Sequence, residues 1–335
     1  MAIAVSTFGE LNGKPVKQFK LTSDTGAEVD IIEFGVVVRD WRVPVDGGLR
    51  SVVLGFDKLD DYILYSPFFG AIAGRVANRI ANASFELDGE TIHVDANWAG
   101  HTLHGGTTGL GRVVWSGTAD EAKNAVTFTY HSPDGDMGFP GNVDVTAVYT
   151  LKGNRLRLEL SATTDKKTPI SLVQHQYFNL GTGDTVLDHL YQIESSAYTQ
   201  PGEMLIPTGA ILPSKGTLYD FRAGRTMREG GEPVDYDLNL VLDNGRDTTK
   251  PIATVKAPDG KLTLKLWTDR PGVQLYNSVT TDVPVPGLNG KSYHRHCGFC
   301  LEDQAFPDAV HNPHFPSIWY GPDRPYTHWC EFEIA

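Results

Sequence analysis

The chain has 335 residues, enough to bury a large core, and a formal net charge of −12 at pH 7. Nucleic acids and anionic membranes attract surfaces rich in lysine and arginine, so this acidic balance argues against both partners. No apolar run reaches the roughly 18 residues of a membrane span, and Met1 to Lys20 lack the pattern of a secretory signal peptide. With only three cysteines, the composition favours a cytoplasmic protein that acts on a small molecule.

Short runs of alternating apolar and polar residues recur along the chain. In Arg155–Leu160 every second residue is a leucine and the positions between are charged, as in a strand with one buried face. Gly153-Asn154 separates this run from Val145–Leu151, which predicts a hairpin. Val126–Tyr130 and Leu262–Trp267 alternate in the same way.

Turn dipeptides separate these runs, and long helical periodicity is hard to find. Asn12-Gly13, Asp88-Gly89, Asp134-Gly135 and Asp259-Gly260 are pairs that tolerate the positive φ of tight hairpins. The 35 glycines and 20 prolines are spread throughout, and no linker or change in composition divides the chain. We therefore predict an all-β fold, one large antiparallel β-sandwich domain that spans residues 1–335.

Five stretches place polar side chains among glycines or aromatic residues. They are 67–80, 101–106, 171–180, 234–239 and 297–310. The stretch 171–180 predicts a strand that enters the core and then a loop, with His175 in the middle. A histidine in such a run is ordinarily a buried, hydrogen-bonded core residue, unless polar groups from distant segments converge on it.

The arginines and histidines of these stretches allow more than one interpretation. Arg75 and Arg79 are spaced to lie on one solvated face of a short helix, or they are fixed in a site by their small and apolar neighbours. The pair His101 and His104 has no acidic or cysteine ligand at a matching spacing, so we expect no metal there.

Two cysteines in 297–310 have the spacing of a redox or zinc motif. No second pair accompanies Cys297 and Cys300, and Cys330 stands alone. Buried, inert thiols are therefore the better interpretation.

Six segments in the same order together resemble the aldose 1-epimerase family, of the galactose mutarotase type. The segments are Phe69–Ala83, Leu103–Gly106, His175–Leu180, Leu205–Gly209, Gly272–Tyr276 and Gly298–Val310. The resemblance implies a single large β-sandwich that holds a sugar on its concave face, and an isomerase that interconverts the α and β anomers of a free aldohexose.

The resemblance also implies roles for individual residues. His175 would be the general acid that protonates the ring oxygen, and Glu302 the general base that takes the proton from the anomeric hydroxyl. The residues that would hold the hydroxyls and the ring oxygen of the hexose are Asn78, Arg79, His104, Asp237 and Gln274.

This chemistry needs no cofactor and no metal. Opening a hemiacetal requires one proton removed from O1 and one delivered to O5, and closing on the other face reverses both transfers. Histidine titrates near neutrality, and partial burial would raise the pKa of the glutamate, so both suit these tasks. An aromatic face, Phe306 or Tyr177, could lie against the apolar side of the pyranose.

Four positions depart from the family pattern. Gln174 stands where asparagine is usual before the histidine, and Gln176 where a small residue is common. Asp237-Leu238-Asn239 replaces an Asp-His-Asn form, and Asn277-Ser278-Val279 replaces a Thr-Gly-Asn run. These changes leave the proposed acid and base in place, and they put the preferred sugar in doubt more than the reaction.

Two alternatives stay open at this point. A phosphorylated or sulfonated hexose would need extra cations near C6, and Arg75, Arg112 or Arg222 could supply them. A non-catalytic sugar-binding sandwich is the other alternative, but it would have no reason to keep both His175 and Glu302. The sequence leaves the oligomeric state open between monomer and homodimer.

Overall fold

The computed structural model describes residues 2–335, which form antiparallel strands, one short α-helix and a few 3₁₀ turns. In chain order the strands are β1 (Ala2–Leu11), β2 (Lys14–Thr22), β3 (Glu28–Ile32), β4 (Val37–Val45), β5 (Gly48–Ser51), β6 (Ile72–Ala73), β7 (Arg79–Ile80), β8 (Ser84–Leu87), β9 (Glu90–His93), β10 (Thr102–Leu103), β11 (Ser116–Asp120), β12 (Ala125–Ser132), β13 (Val143–Lys152), β14 (Arg155–Thr164), β15 (Thr168–Pro169), β16 (Val173–Gln174), β17 (Leu190–Ile193), β18 (Ser195–Pro201), β19 (Pro207–Pro213), β20 (Arg228–Glu229), β21 (Glu232–Pro233), β22 (Asp237–Leu242), β23 (Ala253–Lys256), β24 (Thr263–Thr268), β25 (Gly272–Tyr276), β26 (Cys300–Gln304), β27 (Trp319–Tyr320) and β28 (Tyr326–Ile334). The α-helix α1 is Leu59–Tyr65, and the 3₁₀ turns are Ala81–Ala83, Leu110–Arg112, Asp136–Gly138, Glu203–Leu205 and Leu288–Gly290.

Three sheets make up most of the molecule. Their strand orders are β1-β2-β3-β4-β5, β11-β12-β13-β14-β28-β24-β23-β17 and β19-β18-β22-β25-β26, and short two-stranded pairs surround them. One large apolar core joins all three, with side chains such as Trp41, Phe128, Leu240 and Phe332. The eight-stranded sheet therefore packs against the other two, which confirms the predicted antiparallel β-sandwich. Nowhere in 2–335 is there a helix both long and apolar enough to cross a membrane.

The hairpin predicted around Gly153-Asn154 is present as β13 and β14. Leu156, Leu158 and Leu160 are buried, and the residues between them face outward. Gly153 has a φ of +57°, which glycine adopts at no steric cost. The alternation in the sequence was thus sufficient to identify the buried face.

The four other predicted turns divide into two kinds. Both residues have positive φ in Asn12-Gly13 and in Asp88-Gly89, which join β1 to β2 and β8 to β9. In Asp134-Gly135 and Asp259-Gly260 only the glycine has positive φ. Both pairs connect neighbouring antiparallel strands, Asp134-Gly135 between β12 and β13 and Asp259-Gly260 between β23 and β24, but these connections are longer than two residues.

Two segments are more irregular than their composition suggests. Within 171–180 the regular strand is β16 alone, which pairs with β6. The stretch 67–80 contains β6 and β7 and no helix, and its residues are largely buried. Because these backbones lie inside the protein, neighbouring loops satisfy their polar groups, as when Gly70 N donates to His175 O at 2.9 Å.

Candidate active site

Strands β22, β25 and β26 lie side by side and form one wall of a pocket. Their register places Gln274 opposite both Asn239 and Glu302. Since side chains alternate along a strand, Cys300 and Glu302 leave β26 on the pocket side, whereas Leu301 packs into the main core. The period of two therefore turns Glu302 toward the pocket and its neighbours Leu301 and Asp303 toward the core.

The opposite wall comes from irregular segments whose backbones are tied together. His175 N donates to Ala71 O at 2.9 Å, continuing the pairing of β16 with β6. Asn78 and His104 flank the β7–β10 pair, where His104 N donates to Asn78 O at 2.9 Å. A Cβ on Gly105 would lie 1.9 Å from a backbone oxygen. Only glycine therefore allows the His104 loop to approach so closely.

A hydrogen-bonded network joins the two walls. Arg79 donates to Asn78 Oδ1 and to Asp237 Oδ2, both at 3.2 Å, and its guanidinium lies 4.8 Å from the ring centre of Trp98. Gln274 Nε2 donates to the other carboxylate oxygen of Asp237 at 2.6 Å. The network holds these polar groups in fixed directions around the pocket.

The walls enclose a pocket of about 250 Å³. Its lining residues are Pro67, Phe68, Asn78, Arg79, Trp98, Leu103, His104, His175, Tyr177, Leu205, Asp237, Gln274, Tyr276, Val279, Thr280 and Glu302. All seven site residues named from the sequence are among them. The size is below the usual range for drug-sized ligands and suits a single small molecule.

His175 and Glu302 meet inside this pocket. Nε2 of His175 lies 3.4 Å from Oε2 of Glu302, and their side chains are only 5% and 3% exposed. Oε2 is buried, and no group of residues 2–335 has hydrogen-bond geometry to it. A buried carboxylate oxygen without a partner is costly in a resting structure, and it is typical of a functional site.

Burial shifts the pKa values of the two groups in opposite directions. It lowers the pKa of His175 to about 3 and raises the pKa of Glu302 well above its ordinary value, with the charges of Asp237 and Asp303 adding to the rise and Arg79 opposing it. Both shifts favour the neutral forms of the two groups, although the 3.4 Å contact would also suit an ion pair. The pKa of Glu302 is raised, as the sequence led us to expect, whereas the pKa of His175 lies far below neutrality.

His104 is held as a neutral donor. The backbone N–H of Asn78 donates to its Nδ1 at 3.2 Å, so the ring proton of the neutral imidazole is on Nε2. Burial, followed by the charges of His175 and Arg79, lowers the pKa of His104 well below its usual value. It can therefore donate a hydrogen bond to a ligand without carrying a charge.

Other residues considered from the sequence lie elsewhere. Arg75 is buried away from the pocket, where its guanidinium binds Ser132 and backbone carbonyls such as Gly141 O. Arg222 pairs with its neighbour Asp220. The solvated helix face considered for Arg75 and Arg79 is therefore wrong, because the intervening chain is not helical, and of these two arginines Arg79 is the one that lines the pocket.

Among the cations of residues 2–335, Arg79 is the one that lines the pocket. Arg112 packs on the outer side of Phe68, with 5.3 Å between its guanidinium carbon and the ring centre. Of the two aromatic candidates, Tyr177 lines the pocket, whereas Phe306 packs against Phe315 in a separate apolar cluster.

Of the residues that depart from the family pattern, Val279 lines the pocket, whereas Gln174, Gln176 and Asn277 support its walls. Gln174 Nε2 reaches across to Leu301 O at 2.9 Å, a contact for which its extra methylene gives the length. Gln176 Nε2 donates to Tyr149 OH in the core. Asn277 Oδ1 accepts from Tyr236 N at 2.8 Å and so holds the entry to Asp237. None of the three lines the pocket.

The sequence interpretation missed several contacts of the site. Phe68 and Tyr177 both stack against the His175 ring, at centroid distances of 6.1 Å and 5.0 Å with interplanar angles of 23° and 16°. Trp98 stacks on the guanidinium of Arg79. It lies in a loop just before His101, where no sequence motif indicated a role in the site. Such residues are recognisable only after the distant segments have been brought together.

One donor atom each from His104, His175 and Glu302 lies within 4.8 Å of the others. The metal pair considered from the sequence was His101 with His104, and His101 is not part of this group. His101 Nδ1 accepts from Asn82 N instead. The convergence of the other three comes from segments far apart in the chain and was not visible in the sequence.

Comparisons with known proteins agree with this architecture. Residues 17–333 match the family described as Aldose 1-epimerase. Galactose mutarotase from Bos taurus is 38% identical over 346 residues, which cover 100% of both chains. Aldose 1-epimerase from Haemophilus influenzae is 33% identical over 98% of both chains. The crystal structure of a GalM/aldose epimerase homologue from C. elegans superposes with a TM-score of 0.89 at 28% identity, covering 94% of this chain and 98% of that one.

The matched residues run through all three large sheets and both walls of the pocket. The chain therefore belongs to the aldose 1-epimerase family, and it is an isomerase that acts on aldoses.

Proposed function

We propose that this protein interconverts the α and β anomers of a free aldohexose, with His175 and Glu302 as the groups that move the protons. The observation that carries this assignment is the 3.4 Å distance between Nε2 of His175 and Oε2 of Glu302. Both side chains line the pocket and are almost completely buried. Two titratable groups whose environments push their pKa values apart are the arrangement that acid/base chemistry requires.

The pair works with one dissociable proton. Before the sugar binds, burial keeps that proton on Glu302 and leaves His175 neutral. Transfer of the proton to Nε2 gives a carboxylate base and an imidazolium acid with no change in net charge. The carboxylate then takes the proton of the anomeric O1–H, the imidazolium protonates O5, and the C1–O5 bond breaks.

Ring closure reverses these transfers after rotation about C1–C2. Nε2 of His175 takes the proton from the O5 hydroxyl as O5 attacks C1, and Glu302 returns its proton to O1. If the aldehyde has turned its other face, the product is the opposite anomer. Each step leaves the pair with one proton, so the enzyme is ready for either anomer.

The remaining polar residues hold the sugar. Arg79 and the Nε2–H of His104 are donors, whereas Asp237 offers carboxylate oxygens to sugar hydroxyls. The amides of Asn78 and Gln274 complete the ring of contacts. Because these groups already bind one another, they are oriented before the sugar arrives, which lowers the entropic cost of binding.

We propose galactose and glucose as the first sugars to test. The relative from Bos taurus is named for galactose, and its identity extends over the full chain. Within residues 2–335 the pocket is lined by a single cation, Arg79, and that cation already binds Asp237. This favours a neutral sugar over a phosphorylated or sulfonated one.

The decisive experiment follows optical rotation after dissolving pure α-D-galactose or α-D-glucose with the purified protein. We expect clear acceleration over the uncatalysed rate, and losses of about 10²- to 10⁴-fold in His175→Ala and Glu302→Gln. Each variant should keep the circular dichroism of the parent. Near-parental turnover in a folded Glu302→Gln would exclude Glu302 as the base.

We also propose that residues 1–335 act as one domain in the cytoplasm, as a monomer or homodimer. One apolar core with contributions from all three large sheets supports the single domain. The three cysteines are free and buried, which suits a reducing compartment. Light scattering of the purified protein measures the oligomeric state directly.

A further inference from the structure

Cys300 lies next to the imidazole of His175, the proposed general acid. Its Sγ is 3.6 Å from Nδ1 of His175, within the distance of a sulfur hydrogen bond, and both residues are buried. Cys300 and Glu302 are two residues apart on β26 and share its pocket face. The His175 ring therefore spans two side chains of one strand, with Nδ1 toward the thiol and Nε2 toward the carboxylate.

No other side chain competes with Cys300 for Nδ1. Tyr177 and Phe68 stack against the ring, and His104 approaches edge-on at a centroid distance of 5.1 Å. Within residues 2–335 the thiol of Cys300 is the one side chain within hydrogen-bond distance of Nδ1, and a hydrogen bond to the backbone of His175 itself raises the pKa of the ring. Which ring nitrogen of a histidine carries the proton is set by the hydrogen bond that the other nitrogen makes.

The acid/base cycle requires one particular assignment of that proton. Nε2 must lose its proton to O5 during ring opening and regain one during closure. Nδ1 must therefore keep its proton throughout, which requires an acceptor beside it. Burial keeps Cys300 as a thiol by raising its pKa well above the usual value, and a thiol sulfur is a weak acceptor.

We propose that Cys300 is a positioning residue whose sulfur accepts the Nδ1–H of His175 and so reserves Nε2 as the nitrogen that exchanges protons with the sugar. This inference rests on the proposed role of His175 and extends it. A weak acceptor is suited to the task, because a carboxylate at this position would stabilise the imidazolium and make it a poorer proton donor.

The test is the tautomer of His175 in the full-length protein. Long-range ¹H–¹⁵N correlation spectra of ¹⁵N-histidine-labelled protein distinguish a protonated ring nitrogen from a bare one. His175→Gln identifies its signals among the 11 histidines. We expect Nδ1 protonated and Nε2 bare at neutral pH. A protonated Nε2 with a bare Nδ1 would mean that the thiol donates instead, and would overturn the proposal.

Variants of Cys300 separate positioning from packing. In Cys300→Ala the Nδ1–H loses the sulfur as an acceptor, so we expect the Nε2–H tautomer to gain population and kcat to fall about tenfold, a part of the 10²- to 10⁴-fold effect of a positioned acid, with KM nearly unchanged. Cys300→Ser keeps an acceptor and should restore both the tautomer and most of kcat. The matched control is Cys297→Ala, which removes another buried thiol and should leave His175 unchanged.

The outcomes distinguish this inference from the proposed function. An unchanged tautomer in folded Cys300→Ala would overturn the role of the thiol, whatever happens to activity. By contrast, parental turnover in His175→Ala would remove the acid assignment, even if the tautomer of His175 were the expected one.

Discussion

Nε2 of His328 lies 2.5 Å from Oδ2 of Asp303, and both side chains are fully buried. Asp303 follows Glu302 on β26 and points to the opposite face, into the core. Thr268 donates a second hydrogen bond to the same oxygen at 2.6 Å, whereas Oδ1 has no partner in the described part of the chain. A carboxylate fixed behind Glu302 raises the pKa of that residue.

Asp303→Asn should therefore lower the pKa of Glu302. Because the proposed pair works with one proton, and burial favours that proton on Glu302 before the sugar binds, the alkaline limb of kcat/KM reports its loss. We expect this limb to move to lower pH in the variant, measured by polarimetry across pH. Asp188→Asn, in an exposed pair with Arg228, is the control and should leave the profile unchanged. An unshifted limb in folded Asp303→Asn would show that Asp303 does not tune Glu302.

Glu302→Gln should stabilise the protein at neutral pH while it lowers turnover. The folded-state pKa of Glu302 is raised, so the folded parent holds a proton that the unfolded chain releases above its own pKa of about 4.3. Between these two pKa values the parent loses about 1.4 kcal/mol of unfolding free energy for each pH unit. Glutamine does not titrate and escapes this loss.

Urea unfolding of parent and Glu302→Gln at several pH values measures the effect. The difference in unfolding free energy should be smallest near pH 4 and should grow with pH until the folded parent also ionises. A difference that stays constant across this range would mean that the folded-state pKa is not raised.

Arg79→Lys should reduce kcat/KM by about 10- to 100-fold. Lysine keeps the charge, but it cannot reach Asn78 and Asp237 with two separate N–H groups while stacking on Trp98. Losing hydrogen bonds to charged groups costs about 1.5–3 kcal/mol. Steady-state mutarotation measures the change, with Arg222→Lys as the control away from the pocket. Equal kcat/KM in Arg79→Lys and the parent would remove Arg79 from substrate binding.

Chelation should leave activity unchanged. His104 uses Nδ1 to accept from Asn78 N, and the proton transfers proposed for His175 and Glu302 need no Lewis acid. Protein dialysed against EDTA and assayed in metal-free buffer tests this directly. Loss of turnover that added Zn²⁺ restores would instead make the three converging side chains a metal site.

Much of the fold could be predicted because strand signals are local. The alternation of leucine and charge in β14 identified its buried face, and Asn12-Gly13 and Asp88-Gly89 identified two hairpins. The short strands β6, β7 and β16 could not be found in this way. With two residues each, they exist because distant segments supply their hydrogen-bond partners, and no periodicity extends over so short a length.

The site residues show the same difference between what local sequence predicts and what the contacts of distant segments decide. Arg75 and Arg79 look equivalent in the sequence, yet one binds carbonyl groups in the interior and the other binds Asp237 in the pocket. Phe306 and Tyr177 were equal candidates for an aromatic wall, and only Tyr177 is there. Each outcome depends on how an irregular backbone turns, which the chemical character of the side chain does not specify.

The sequence by itself determined the all-β class, the family and the identities of the seven polar residues, since these depend on local alternation and on motifs of adjacent residues. Only the tertiary structure decided which groups meet. His175 and Glu302 are 3.4 Å apart and share a desolvated pocket, and Cys300, an inert thiol by composition, contacts His175. Burial and proximity set protonation states, and both arise when residues more than a hundred positions apart fold together.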